Sequence, residues 1–433
     1  MKLWDKTSTT PTSSSRFEKF CIGKDTEMDV YLAHADLIGS LAHAKMLSEQ
    51  NLLAPAEYDQ IAGVIQKMIA QHQVEKIKID EGMEDIHSQI EYLLTKHLGD
   101  IGKKIHSGRS RNDQSLLAIK LFLKEELKLI SLQVQQIFNS FIVLAKRHQA
   151  VDMPGYTHWQ VAMPSSFGLW FAAYAESLSD DLAMMQAAFS LCNKNPLGSG
   201  AGYGSSFPIN RSRTTALLGM ENMHYNVINA QLSRGKTEKW MATAIATIAA
   251  TLARFSNDVC IYNSQNFNFI SLSDQVSTGS SLMPHKRNPD VFELLRAHFN
   301  RLQALPNELI LLTTNLPSGY HRDFQLTKTI LFPALDQFKE CLDILLLALD
   351  EIQVHTQIMD NPIYSSVYSV ERVNELVMEG IPFRDAYKIV ANEWASGTCI
   401  RPEKSTYTHE GSKGHLCLEE IETMFKKNLS LFV

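Results

Sequence analysis

RSRNDQSLLAIKLFLKEELKLISLQVQQIFNSFIVLAKRHQAVDM, residues Arg109–Met153, holds no glycine or proline, and its Leu, Ile, Phe and Val recur every three or four positions. That spacing belongs to a helix with one apolar face. A helix approaching this length is far above the usual three turns, and long helices imply packing in a bundle. On the C-terminal side PGYTHWQ breaks the pattern at Pro154 and Gly155. A second long helix is expected over Ser165–Ser190, with Phe167, Trp170, Phe171, Tyr174 and Leu178 as its stripe. A third is expected over Thr237–Phe269, a fourth over Val291–Leu312 with an interruption at Pro306, and a fifth over Leu326–Val354. On the N-terminal side helical spacing recurs over Asp29–Gln50, Ala56–Ala70 and within Asp80–Gly99, while residues 1–16 read as a polar arm rich in Ser and Thr. No strand alternation is sustained anywhere. The fold class is therefore all-α, with a central bundle of about five long helices over residues 108–356. A helical N-terminal domain (1–107) and a small helical C-terminal domain (357–433) flank it.

Composition narrows the class of protein. With 45% hydrophobic and 20% charged residues in 433, the chain is a soluble globular protein long enough for a large core. A net charge of −6 supplies no basic footprint, so no nucleic-acid partner is expected. The cysteines are scattered without metal-ligand spacing and read as reduced thiols of a cytoplasmic protein. The N-terminus lacks the apolar core of a secretory signal. The apolar run Met241–Ala253 is too short to cross a bilayer, so no membrane partner is expected either.

Three stretches carry chemistry. GSSLMPHKRNPD, Gly279–Asp290, packs serine, glycine, proline, cations and an amide together, with Leu282 and Met283 as its large apolar residues. Its prolines stop it becoming helix, and Asn288 or Asp290 is placed to cap a helix beginning near Val291. By composition alone a solvated helix connection explains it equally well. HSGRSRNDQ, His106–Gln114, crowds Arg109, Arg111 and Asn112 at a helix N-terminus, where free N–H groups already favour anions and two arginines suit a carboxylate. PGYTHWQ sets Thr157 and His158 in a break between long helices, and EDIHSQ sets Asp85 and His87 at a helix start. A lone histidine is more often structural than catalytic, and first-turn acids often serve only the helix dipole. The glycine-rich loop NPLGSGAGYGSSFP lacks the GK[ST] ending of a phosphate loop and follows no strand, so a close backbone approach, to substrate or to another helix, is expected of it.

Together these segments resemble the fumarase/aspartase superfamily, whose GSSxMPxKxNP signature is matched at every fixed position. Within it, HSGRSRNDQ, MPGYTHWQ, EDIHSQIE, NPLGSGAGYG, GYHRDFQLTK and EGIPFRDAYKIV are similar to elements of the argininosuccinate lyase family, over residues 80–392. The resemblance implies a lyase that cleaves argininosuccinate to arginine and fumarate with no metal or organic cofactor. It implies a homotetramer in which three subunits build each active site. It implies Ser280 as catalytic base, Lys286 and Asn288 beside it, and His158 paired with Glu293. Substrate binding is implied at Ser110, Arg111, Asn112, Thr157, Tyr320, Gln325 and Lys328, with His87 and Asp85 near the site. The chain departs from the family pattern at Val161, Met163, His321, Leu326, Thr327 and Tyr387, in NVINAQLSRGK, and in FCIGKDTEMD, which lacks the family's serine. Those departures bear on the pocket for the arginine half. A sister lyase of another N-succinyl compound and a catalytically silent crystallin-like protein are the alternative readings. SRNDQ argues against the first, and intact Ser280, Lys286, Asn288, His158 and Glu293 against the second.

Overall fold

The structure, a computed structural model, describes residues 14–398 and 406–432. The polar arm expected over residues 1–16 thus lies outside the described residues except for its last three, which open the helix Ser14–Ile22. Helices α1 (Ala33–Glu49), α2 (Pro55–Val74) and α3 (Ile86–Leu98) follow, the first two packed on each other.

The deciding stretch forms α4, Arg111–Arg147, 37 residues without a break. Its start is fixed by a reciprocal cap. The Ser110 hydroxyl accepts the Asn112 N–H at 3.2 Å, and the Asp113 carboxylate accepts the Ser110 N–H at 2.9 Å. The stripe Leu116, Leu123, Leu127, Ile130, Ile137 and Phe141 is buried against α5 (Phe167–Cys192) and α9 (Leu326–Leu349). Helix α6 (Lys236–Tyr262) packs on α5 and on α7 (Asp290–Leu302), while α8 (Leu305–Leu312) closes one side. Aromatic rings knit these helices where they cross: Phe141 meets Phe255 at 4.9 Å and Trp170 meets Phe255 at 5.2 Å. Each such ring contributes about 1.5–3 kcal/mol by leaving water.

The all-α class holds, with corrections at element ends. PGYTHWQ does not merely interrupt helices. It forms a hairpin, β1 (Asp152–Thr157) with β2 (Gln160–Ser166), paired to Thr157↔Gln160 at its tip. Helix α5 accordingly starts at Phe167, where the Ser166 hydroxyl accepts the Leu169 N–H at 3.1 Å. The third and fifth expected helices stop early: α6 ends at Tyr262 and residues 263–269 form turns, the Phe269 N–H donating back to the Tyr262 carbonyl, while the end of the fifth becomes a strand, β6 (Ile352–Val354), paired with β3 (Ile270–Leu272). The fourth splits after Leu302, and Pro306 takes a first-turn position of α8. Gly279–Asp290 is zipped at its base by two short strands, β4 (Thr278–Gly279) and β5 (Arg287–Asn288). Neither Asn288 nor Asp290 caps α7. Pro289 holds that position, and the Asp290 carboxylate accepts the Thr278 hydroxyl instead.

Beyond residue 357, α10 (Ser369–Met378) and α11 (Phe383–Ala395) share a small core of Val373, Leu376, Ala386 and Val390. The last helix, α12 (Leu418–Leu429), returns to the bundle and stacks Phe425 on Phe138 at 3.8 Å. Helices α4 and α6 are long and apolar enough to cross a membrane by length and composition, yet half of each apolar window is buried inside this chain. Core packing accounts for that burial.

Candidate active site

The starts of α3 and α4 open onto one cavity of ≈ 280 Å³, completed by residues 320–328, Arg234 and the one-turn helix Asp25–Asp29. Of the residues expected at a site, Asp85, His87, Arg111, Asn112, Tyr320, Gln325 and Lys328 all line it. Segments far apart in sequence thus converge where two helix N-termini add positive potential.

The lining is a mosaic of ion pairs. Lys328, 4% exposed, is shared by Asp25 at 2.6 Å and by Asp29. Burial disfavours its charge, but the two carboxylates outweigh that and raise its pKa. Arg111 donates to Glu91 at 2.6 Å and to Gln114 at 2.8 Å. Arg234 lies 3.5 Å from Glu238 and faces the Tyr320 ring at 5.7 Å. Gln325 donates to the carbonyls of Cys21 and Ile22, both at 2.9 Å, and so pins the segment that carries Asp25. His87 meets Asp36 at 2.9 Å. Burial works against its imidazolium, but Asp36, then Asp85 and Asp29, overcome this and raise its pKa. Asp85 caps α3 by accepting the Ser88 N–H at 2.6 Å.

Ser110 sits beside this cavity as the cap of α4 and does not line it. The next residue but two, Asp113, shows what the glycine-rich loop does. Its buried carboxylate accepts the N–H groups of Gly198 at 2.9 Å and Gly200 at 2.8 Å. Burial pushes this carboxyl up to about 6 against the pull of those donors. The loop therefore brings its backbone close to α4, one of the two approaches expected of it. Gly200 has φ +60°, and a Cβ there would stand 2.7 Å from the Gly204 carbonyl oxygen.

The remaining expected residues lie elsewhere in the chain, and none lines the cavity. Thr157 and His158 are exposed at the β1–β2 tip. His158 and Trp159 have φ +53° and +61°, the paired left-handed backbone of a tight hairpin turn that normally takes Asn-Gly. A bulky side chain such as that of Trp159 strains such a turn, and strain of this kind is characteristic of functional positions. Lys286 and Glu293 are also exposed, whereas Ser280 and Asn288 are half-buried. The Ser280 hydroxyl accepts two backbone N–H groups, from Leu282 at 3.2 Å and Met283 at 3.0 Å. Such donors favour negative charge on that oxygen.

Sequence reasoning missed Asp25, Asp29, Glu84, Ser88, Ser115, Arg234 and Arg322 as cavity residues. The available signal for the first pair was DTEMD, whose aspartates four apart share one helix face. Among the described residues no group of three or more His, Cys, Asp and Glu side chains is arranged as a metal site.

A family model described as a lyase matches residues 6–303. The argininosuccinate lyase of Parabacteroides distasonis is 51% identical over 431 residues, covering 100% of this chain and 96% of that protein. That of Thermotoga neapolitana is 37% identical, covering 91% of this chain and 98% of its own. Among solved structures, an EDDS lyase bound to formate superposes with TM-score 0.74 at 18% identity, over 99% of this chain and 91% of that one. A class II fumarase from Schistosoma mansoni gives 0.72 at 16% identity, over 88% and 87%. At such identity these two speak for the fold alone.

Proposed function

The chain belongs to the lyase family and, within it, to the argininosuccinate lyases, and from that premise we propose how its residues divide the work of cleaving argininosuccinate to arginine and fumarate, a carbon–nitrogen lyase reaction of arginine biosynthesis. The observation that carries the assignment of roles is the convergence of Asp85, His87, Arg111, Asn112, Tyr320, Gln325 and Lys328 on one ion-paired cavity.

In the proposed reaction the base removes a proton from the succinyl carbon beside a carboxylate. The electron pair left behind forms the new C=C bond of fumarate, and the C–N bond on the neighbouring carbon breaks anti to it. The guanidino nitrogen leaves with the bonding pair and takes up a proton. Ser280 is the base. Its alkoxide is costly in water, but the N–H groups of Leu282 and Met283 already point at that oxygen. Closure of the loop over substrate would exclude the water that competes for it. Removing the proton builds an aci-carboxylate, and Lys286 and Asn288 are the donors placed in the same loop to stabilise it. His158, oriented by Glu293, either gives the leaving nitrogen its proton or holds a water that does so.

The cavity binds but holds no base of this kind, and the loop and hairpin hold the base but no pocket. We infer that the two meet between copies of the chain in a homotetramer. Leu129, Leu132 and Val143 on α4, Trp240 on α6, and Ile344 and Leu347 on α9 leave apolar surface exposed on the long helices, which supports burial by further copies. A cytoplasmic location and the layout of 1–107, 108–356 and 357–433 as three domains go with this reading.

The test is fumarate release, followed by ultraviolet absorbance, from purified protein given argininosuccinate or adenylosuccinate. Turnover of argininosuccinate that disappears in Ser280→Ala is expected. Turnover of adenylosuccinate alone, or of neither by a folded tetramer, would overturn the assignment.

A further inference from the structure

The cavity floor has one carboxylate more than its nearest cation neutralises. Lys328 is a single ammonium facing both Asp25 and Asp29. Asp29 is fully committed: one oxygen is on Lys328, the other accepts the Ile86 N–H at 3.4 Å, and the residue is 1% exposed. Asp25 is not. Only its Oδ1 is engaged, at 2.6 Å from Lys328, and its side chain keeps 16% exposure on the cavity wall. Of the other cations of the lining, Arg111 is paired with Glu91 at 2.6 Å, His87 with Asp36 at 2.9 Å and Arg322 with Glu84 at 3.7 Å, while Arg234, 3.5 Å from Glu238, reaches Asp25 only as a weaker through-space attraction. Two carboxylates on one ammonium leave a formal charge of about −1 in a partly desolvated place, which is costly until a further cation arrives.

The geometry selects the kind of cation. A guanidinium binds a carboxylate best as a planar fork across both oxygens, and one Asp25 oxygen is taken. An ammonium is a point charge that one free oxygen can hold. Next to Asp25 stands Lys328, so the wall presents a negative and a positive group side by side, the complement of an α-amino acid zwitterion. FCIGKDTEMD, the segment that contains Asp25, is also where the chain lacks the serine of the family pattern.

Resting on the reading of argininosuccinate as substrate, we propose that Asp25 is a specificity-determining residue that receives the α-ammonium of the substrate's arginine end, with Lys328 beside it for the α-carboxylate. The full-length enzyme is compared with Asp25→Asn and Asp25→Glu in steady-state kinetics. Arginine, fumarate and 5-guanidinopentanoate, which is arginine without its α-ammonium, serve as inhibitors. In Asp25→Asn the KM for argininosuccinate rises at least about tenfold, the loss expected for one hydrogen bond between charged groups, while kcat changes little. Inhibition by arginine weakens in step. Inhibition by fumarate and by 5-guanidinopentanoate does not change, and Asp25→Glu recovers part of the KM.

An unchanged KM overturns the proposal. So does a common loss of kcat and fumarate inhibition, which marks a merely structural role, or a loss of 5-guanidinopentanoate inhibition equal to that of arginine, which makes the guanidinium the partner. Should Asp25→Asn fail to fold, Asp25→Ser is read in the same way. If wild-type protein does not turn over argininosuccinate, the functional reading fails separately. The Asp25 claim is then decided by calorimetry of arginine against 5-guanidinopentanoate: a preference for arginine that Asp25→Asn abolishes upholds it, and equal binding by both proteins overturns it.

Discussion

The cavity floor and the Gly279–Asp290 loop are both rich in polar side chains, but they are held in opposite ways. Around the cavity nearly every charged group has a partner from its own chain: Lys328 with Asp25 and Asp29, Arg111 with Glu91, His87 with Asp36. In the loop Lys286 is exposed, Ser280 is held by backbone N–H groups, and the anchoring contacts lie at the stem, in the β4–β5 ladder, the Thr278–Asp290 bond and an Arg287–Asp274 pair at 3.0 Å. On the proposed reading, recognition is preorganised at the cavity, while the chemical groups of the loop are presented outward to meet a substrate bound elsewhere. Substitutions in the two regions should fail differently.

The largest effect is expected at the loop. Ser280→Ala should lower kcat by about 10²–10⁴-fold, the range for loss of a positioned proton-transfer group, with the melting temperature unchanged because the hydroxyl stabilises only its own turn. Single-turnover rates beside a thermal melt check this, and a falling melting temperature would erase the contrast. Lys328→Met should behave oppositely. It leaves Asp25 and Asp29 facing each other without a cation and should cost about 3–5 kcal/mol of stability as well as substrate binding, readable in urea unfolding.

A smaller effect separates the buried histidines by pH. His43 and His224 are held neutral, burial above all pushing each down to about 3. Their stabilising contribution is complete above the ordinary value of 6.5 and is lost as pH falls from there toward about 3. The raised pKa of His87 acts the other way: its contribution is full below 6.5 and fades as pH rises through its folded value. His43→Gln keeps a donor for the Ser107 carbonyl, which His43 Nε2 reaches at 2.9 Å, and should flatten the acid slope of urea unfolding without moving the alkaline one.

The smallest expected effect on stability concerns strain. His158→Gly should leave stability unchanged or raise it by up to about 1 kcal/mol, by relieving a left-handed backbone, while abolishing turnover. A large loss of stability would make this histidine structural.

Much of this was legible from sequence, for physical reasons. The unbroken helical spacing of Arg109–Met153 announced the long helix that fills Arg111–Arg147, and its Ser110–Asp113 cap is written in SRND. The loop declared itself through prolines and polar residues packed where helix could not continue. The β1–β2 hairpin did not, because its turn is built from His158 and Trp159 in a backbone that residues with a Cβ rarely adopt. The end of α6 was hidden because residues 263–269 carry no glycine or proline to mark it, and the end of α9 because Ile352–Val354 is as short as a helical turn, a length at which periodicity cannot tell strand from helix. Asp25 and Asp29 escaped notice because their significance depends on Lys328, some three hundred positions away, and no local pattern encodes that meeting.

The central claim, that cavity and loop cooperate across copies of the chain, is tested most directly by mixing. Ser280→Ala and Lys328→Met proteins, each inactive alone, are unfolded together, refolded as mixed assemblies and assayed for fumarate release from argininosuccinate. Sites that draw an intact cavity from one variant and an intact loop from the other should regain a substantial fraction of wild-type turnover. Mixed assemblies that stay as silent as their parents would contradict the account.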